Sequence, residues 1–416
     1  MSRASGSLHV TSNRVLRYSE DLVHDLKLLE IDASLMEELE SGGRLQFKGV
    51  PDDPTSHHAE AVLVTSRNTY EVREVETTNL VMLIDGSRGG DEAVEGVEGG
   101  ELDASPVTVH ALAKAHLELT LINPKLDMLD EAMKKYYVIT DIVSDAALLP
   151  KGVTWDSLQD SVQASDEEIS RALEDSDVVR VNGRWMGVSP DALSSFVKLV
   201  VLTATERGVK LDAVQAVEMA IALESSGVCG QVTLQLLNKL RSSRLADDAG
   251  RKLSVEDLDR PDWREMPGKL PVIPLDLSLI CKHIGVGILL EQEFYEDKDE
   301  FLRVWAEMVP DLPDGMEVGM AMLRGEAIEV EGEALGAHGV KVGRTSVRRL
   351  CVGEMPRDTL SRFECLWKAK EKWTLQDILP YIDGLSAPGQ NTEELLLKWA
   401  RPSQTRPDDP VLYTKR

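Results

Sequence analysis

Hydrolases and nucleotide-using enzymes carry side chains at spacings that their chemistry demands, and this chain has none of those patterns. There is no G-x-x-x-x-G-K-[ST] loop to cradle phosphates, no G-x-G-x-x-G after a strand, no H-E-x-x-H and no G-x-S-x-G. His57 and His58 are adjacent in a turn rich in Pro and Asp, without cysteine or spaced carboxylate partners, and read as solvated loop residues. Cys229, Cys281, Cys351 and Cys365 lie far apart with no C-x-x-C spacing, so reduced thiols are expected rather than disulfides or zinc ligands. With 72 Asp and Glu, no carboxylate pair stands out as an acid–base dyad. No catalytic, metal or cofactor residue is therefore nominated, and ATP hydrolysis is not expected of this chain.

What remains is charge. A net charge of −26 excludes a protein whose whole surface tracks nucleic acid, so any phosphate contact must be local. Residues 341–416 are the sizeable non-acidic block, with 14 basic against 10 acidic side chains. Candidate DNA contacts there are Lys341, Arg344, Arg348 and Arg349 on a β-ribbon; Lys368, Lys370 and Lys372 on a helix; and Arg401, Arg406, Lys415 and Arg416 at the end. Such side chains give salt-dependent, largely sequence-independent binding. Taken singly, each is as well explained as surface charge balanced by Glu364, Glu371 and Asp377; the cluster favours DNA. The opposite pole is SDEEISRALEDSDVVRVNGRWMGV, residues 165–188. Here Asp166, Glu167, Glu168, Glu174 and Asp175 surround the one cation Arg171, a surface that DNA repels and a protein partner could use. A merely solvated face is the alternative.

These residues need elements to position them. RLQFKGV, AEAVLVTS, TYEVREV and NLVMLI (44–84) read as four short antiparallel strands, too few to close a barrel alone. DGSRGGDEAVEGVEGGELD (85–103) holds six Gly and seven acidic residues and cannot bury a core of its own. A helix is expected at 108–120, and another across 126–143 with Leu126, Leu129, Met133 and Tyr137 as its core stripe. Beyond residue 150 the order helix, turn, helix, hairpin recurs. Ser165 and Glu168 have capping-box spacing, and VVRV-NG-RWMGV has the Asn-Gly of a type I′ hairpin turn.

The 191–280 stretch reads as helical until RPDWREMPGKLPVIP breaks it. LDLSLICKHIGVGILL, DEFLRVWAEMVP and EVGMAMLRG with two strands compose a second unit; RFECLWKAKEKW, TLQDILPYIDGL and NTEELLLKWARPS with VLYTKR compose a third. Trp185, Trp305, Trp367, Trp373 and Trp399 recur at comparable places and read as core anchors rather than base-stacking platforms.

The expected class is α+β: a small β-barrel-like N-terminal module, followed by three tandem winged-helix domains. The boundaries are 1–29 for an N-terminal extension, 30–110 for the β-rich module and 111–149 for a helical linker. The winged-helix domains follow at 150–280, 281–352 and 353–416. The N-terminus lacks the apolar core of a signal peptide and no run reaches the ~18 apolar residues of a membrane span, so a soluble intracellular chain is expected.

ASLMEELESGGRLQFKG, AVLVTSRNTYEVREVETTNLVMLI, ASDEEISRALEDSDVVRVNGRWM and above all RFECLWKAKEKWTLQDILPYI carry a family likeness in their order. The chain resembles the sister chromatid cohesion family whose member is an accessory subunit of the alternative replication factor C-like clamp loader. The resemblance runs from about residue 30 to the C-terminus, more loosely over 85–150 and 191–280. It implies a non-catalytic nuclear subunit that needs no cofactor. Its β-module is completed by the large ATPase subunit and a small subunit, and its winged-helix array is associated with DNA and the catalytic subunit of DNA polymerase epsilon. The complex would load or unload the sliding clamp. Two other readings rank lower. A winged-helix transcription regulator needs base-reading Arg, Asn or Gln on a recognition helix, and DEEISRALED offers Arg171 alone. An enzyme has no positive residue signal.

Overall fold

The computed structural model describes residues 16–24, 26–49, 61–84, 107–142, 149–242, 258–260, 262–265, 272–335, 341–386, 389–404, 406 and 409–416. The chain divides into two compact units, Met1–Ile122 and Asn123–Arg416. His57, His58 and the acidic glycine-rich segment 85–103 lie outside the described residues.

The N-terminal unit is built on β5 (Thr69–Ile84) and β6 (Val107–Ile122), two 16-residue strands in one antiparallel ladder. The runs expected as separate strands, TYEVREV and NLVMLI, are one strand with a register irregularity between Glu76 and Val81. The helix expected at 108–120 is corrected to strand β6. Ala and Leu suggest helix by propensity, yet VTVHALAKA alternates with period two, burying Val109, Ala111 and Ala113 between more exposed neighbours. Pairing with an equally long partner outweighs weak local preference. On one side of β6 lie β1 (Leu16–Val23) and β2 (Leu28–Leu29), both parallel to it; beyond β5 come β4 (Val62–Val64) and β3 (Gln46–Lys48), giving the order β1-β6-β5-β4-β3. Residues 16–23, assigned to an extension in the sequence reading, thus form an edge strand. Among the described residues the sheet does not close, and β1 and β3 are its two ends.

One helix, α1 (Ala33–Glu40), covers part of this sheet. Asp32 caps it by accepting from Leu35 N at 2.8 Å, and Leu35 packs on Leu63 and Tyr70. Tyr18, Val23, Phe47, Leu80, Val81, Leu83, Ile84 and Leu121 stay exposed. Leu80 and Val81 have opposite parity on β5, so both faces at that end of the ladder carry bare apolar side chains.

The C-terminal unit repeats a small scheme. Its first segment holds α2 (Asp127–Glu131) with a π turn (Ala132–Tyr136), β7 (Val138–Ile139), α3 (Trp155–Ser161), α4 (Asp166–Asp175), β8 (Val178–Val181) and β9 (Arg184–Val188). The stripe expected on 126–143 packs as read, with Leu129 and Met133 buried and Leu126 and Tyr137 beside them. The helix stops earlier than expected, however: Tyr137 N bonds to Ala132 O, and Val138–Ile139 joins β9 in parallel. Ser165 and Glu168 form the expected capping box, and Asn182 (φ 52°) and Gly183 (φ 76°) the expected hairpin turn.

Three helices follow, α5 (Pro190–Arg207), α6 (Ala216–Glu224) and α7 (Gly230–Lys239), with a two-strand sheet of β10 (Val214–Gln215) and β11 (Val272–Ile273) that sequence reading missed. Then come α8 (Leu277–Glu291), β12 (Phe294–Tyr295), α9 (Lys298–Met308), β13 (Ala327–Leu335) and β14 (Lys341–Arg349). EVGMAMLRG, expected as a helix, supplies only the 3₁₀ turn Met320–Leu323, flanked by Gly319 and by Gly325 at φ 80°. The last segment is α10 (Thr359–Ala369), β15 (Trp373–Thr374), α11 (Leu375–Ile382), α12 (Thr392–Trp399), β16 (Ala400–Ser403) and β17 (Leu412–Lys415). Its three-stranded sheet has the order β15-β17-β16, matching β12-β14-β13 before it.

One apolar core runs from the β8–β9 hairpin through α5, α6, α7 and α8 to Trp305 and Val347. Trp305 donates Nε1–H to Cys281 O at 2.9 Å, and its ring lies where a Cβ on Gly285 would stand 2.7 Å away, which is why the helix carries glycine there. The last segment has its own core around Phe363, Trp373, Tyr381 and Leu396, joined by Ile328 of β13. Tyr381 Oη sits 3.3 Å from Ala327 O and 3.0 Å from Leu350 O, and Arg362 donates to Tyr381 O at 2.9 Å. Ties also reach back to the start of this unit: Arg357 pairs with Asp130, Lys134 donates to Gly353 O at 2.6 Å, and Asn123 donates to Ser386 O at 2.8 Å.

Within α8, burial pushes the His283 imidazole down to about 4; the Lys282 charge adds to this and Glu326 opposes it. An unfolded histidine takes up its proton near pH 6.5, so between these values the unfolded chain holds more protons than the folded one. Stability from this group is complete above pH 6.5 and declines as the pH falls toward 4. In urea titrations His283→Gln is expected to flatten the decline in that window; a slope identical to that of the parent would refute the assignment.

Candidate functional site

The acidic surface is built by the capping of α4. Ser165 N donates to Glu168 Oε2 at 2.9 Å and Glu168 N to Ser165 Oγ at 3.3 Å, so Glu168 serves the helix terminus. Asp166 accepts from Gln159 at 2.9 Å and Glu167 from Arg171 at 3.0 Å. Ile169 and Leu173 are buried on the opposite face, which turns the charged residues outward. Three of these acids lie in the first turn, where the helix dipole favours them. Glu174 and Asp175 are exposed in the last turn, where it does not. Lys239 compensates there, donating to Glu174 O at 3.1 Å and Ser176 O at 2.7 Å. The five acids and Arg171 therefore share one helix, but only Glu174 and Asp175 have no local helical reason to be acidic.

The adjoining hairpin turn is occupied from within the chain. Asn182 N and Gly183 N donate to the two carboxylate oxygens of Asp259, each at 2.6 Å. Asp259 also lies 3.6 Å from Arg180 Nε, and Arg180 stacks over Trp185 at 5.8 Å. Gln235 accepts from Arg180 N at 2.7 Å and donates to Arg180 O, lining the free edge of β8. Sequence reading missed Asp259 because it lies far along the chain from the turn it clamps.

The expected basic ribbon exists, with β13 and β14 paired from Ala327↔Arg349 to Leu335↔Lys341. Its cations differ in standing. Arg349 is only 12% exposed and makes a two-pronged bond to Glu354, so it is a structural residue. Arg344 lies 3.8 Å from both Glu296 and Asp297 and is half exposed. Arg348 is exposed, with no carboxylate in ion-pair range among the described residues. Lys341 begins the strand. The facing strand contributes Glu329 and Glu331, and Glu329 pairs with Lys298 at 2.9 Å, so the ribbon carries both signs.

In the last segment Lys370 is bound to Asp377 at 3.1 Å and lies over the Trp373 ring. Lys368 and Lys372 are exposed. Lys372 and Lys415 meet across a shallow cleft of about 340 Å³ that Trp367, Glu371 and Thr414 complete. Arg401 and Arg406 are exposed, whereas Arg416 turns back to Leu397 O and Lys398 O at 3.4 Å and caps α12. The eleven expected cations thus do not form one patch; Lys372 with Lys415 is the pair that the fold brings together around a cleft.

In the N-terminal unit, Glu30, His116 and Glu118 place their ligand atoms within 4.8 Å of one another, the one such metal-capable group among the described residues. His116 lies 3.3 Å from Glu118 and 3.8 Å from Glu30. Glu30 is exposed, and the three make a polar cluster at the sheet surface.

The different standing of Arg348 and Arg349 is measurable. Arg349→Ala is expected to lower unfolding stability by about 1 kcal/mol, whereas Arg348→Ala stays within about 0.5 kcal/mol of the parent. Equal effects would show that the Glu354 pairing does not distinguish them.

Comparison with known proteins follows the same span. A family model for the sister chromatid cohesion protein Dcc1 matches residues 26–382. The sister chromatid cohesion protein DCC1 of Danio rerio is 26% identical over 388 residues, covering 91% of this chain and 86% of the relative. That of Homo sapiens is 24% identical over 384 residues, covering 91% and 86%. The probable DCC1 of Dictyostelium discoideum is 23% identical over 406 residues, covering 97% of each.

Proposed function

The chain belongs to the Dcc1 family of sister chromatid cohesion proteins, and from that premise we propose that it is a non-catalytic accessory subunit of an alternative replication factor C-like clamp loader, acting in the nucleus. The observation that carries the proposal is the N-terminal sheet. Among the described residues its ends β1 and β3 do not meet, and Tyr18, Val23, Leu80, Val81, Leu83 and Ile84 lie exposed on it. Unpaired strand edges and contiguous exposed apolar side chains are costly in water and invite strand addition or packing from another chain. In this reading the large ATPase subunit and a small subunit supply the missing strands and complete a barrel-like assembly.

The C-terminal unit then serves as an arm of three tandem winged-helix domains. Its three-stranded sheets, each with helices from its own segment, support that reading. The acidic face of α4 repels phosphates, and its hairpin turn is filled by Asp259, so this segment suits a protein, the catalytic subunit of DNA polymerase epsilon. Arg344, Arg348, Lys372 and Lys415 are the cations best presented for DNA. Lys368, Arg401 and Arg406 extend that surface, whereas Arg349, Lys370 and Arg416 are engaged inside the fold.

The assembly half is tested by co-expressing the full chain with both clamp-loader partners. Leu83→Asp combined with Ile84→Asp is expected to abolish co-purification while the thermal transition of the C-terminal unit persists; undiminished co-purification would refute it. For the DNA half, Arg344→Glu with Arg348→Glu should weaken duplex binding across sequences and reduce the salt slope by about 2, while Arg349→Ala leaves the slope unchanged. An unaltered slope in the double variant would remove the ribbon from the DNA surface.

A further inference from the structure

We infer that Asn182–Gly183 is a spontaneous deamidation site that the Asp259 carboxylate holds silent. It is the Asn-Gly dipeptide of the chain. Glycine places no side chain in the way when its own amide nitrogen turns on the preceding asparagine. In that reaction Gly183 N attacks Asn182 Cγ, the new N–Cγ bond forms, Cγ–Nδ2 breaks, and the side-chain nitrogen leaves as ammonia, carrying the proton from Gly183 N. Water then opens the cyclic imide at either carbonyl and leaves aspartate or isoaspartate at position 182.

Asn182 is exposed and open to this chemistry, yet the attacking nitrogen and the backbone amide before it are both tied down. Gly183 N donates to Asp259 Oδ2 at 2.6 Å, so its proton is engaged and its peptide plane is fixed. A full negative charge beside that nitrogen also opposes the negative charge it must build up to attack. Asn182 N is held by the other oxygen, Oδ1, at 2.6 Å, which fixes the left-handed turn from the other side. Charge-assisted bonds of this length are among the stronger ones in proteins.

The clamp is itself anchored. The Asp259 side chain is 8% exposed, Gln231 donates to Asp259 O at 3.1 Å, and the flanking Leu258 and Trp263 are buried. Trp263 packs where any side chain at Gly230 would stand, at the start of α7. The protection is thus built from the core outward, and its loss is irreversible. An isoaspartate adds a methylene to the main chain within a turn that requires two consecutive positive φ values, so it would unseat the β8–β9 hairpin.

The experiment follows aspartate and isoaspartate at position 182 by peptide mass spectrometry. Full-length parent, Asp259→Ala and Asp259→Asn chains are each incubated natively in mildly alkaline buffer and, as a reference, in denaturing urea. For each chain the ratio of urea rate to native rate is the protection. Protection in Asp259→Ala is expected to fall at least about tenfold below the parent, with Asp259→Asn between them because one amide still finds an acceptor. If Asp259→Ala does not fold, Asp259→Asn alone is read against the parent. Undiminished protection would assign the silence to turn geometry and overturn the inference. Higher protection would show Asp259 acting as a base that promotes attack, and would overturn it equally.

Discussion

A β-strand left unpaired, with apolar side chains on both faces, is a standing demand for another surface, and the N-terminal unit is organised around that demand. The β5–β6 ladder is 16 residues long, far more than its few covering residues can bury. One end is packed by α1 through Leu35, Leu63 and Tyr70. The other end, with Leu80, Val81, Leu83 and Ile84, has nothing over it among the described residues. A sheet of this kind gains stability when another surface packs on it or pairs with its edge.

The C-terminal unit solves the opposite problem. Three small sheets would each be marginal alone, since a few short strands and helices bury little area. The first two are held by a shared core running to Trp305 and Val347, and the last, with its own core, by Ile328 of β13 and by polar ties through Tyr381, Arg362, Asp130–Arg357 and Lys134. Charge is sorted on this frame. The acids crowd α4, the freely presented cations are Arg348 on β14 and Lys372 and Lys415 around their cleft, and several other cations are consumed as struts. A sequence shows charge but not whether it is already satisfied, and Arg349 and Arg348 are adjacent residues with opposite answers.

Local chemistry was legible where it is self-contained. The Ser165–Glu168 capping box, the Asn182-Gly183 turn and the helical stripe of Leu129 and Met133 involve residues within a few positions of one another, and the structure forms all three. Strand β6 was misread because Ala and Leu suit helices while only the alternation and a distant partner specify a strand. Asp259 was invisible because its partners lie 76 and 77 positions away. The family likeness in the four quoted segments pointed to the lineage that the Dcc1 match over residues 26–382 then showed.

Hydrogen–deuterium exchange of the full chain, alone and in complex with the two clamp-loader subunits, tests the central claim most directly. The account predicts that amides of Leu16–Val23 and of 79–84, at the bare end of the sheet, exchange more rapidly alone than those of the central strand β6 and become strongly protected in the complex. Unchanged exchange there, with new protection confined to Asn123–Arg416, would contradict it.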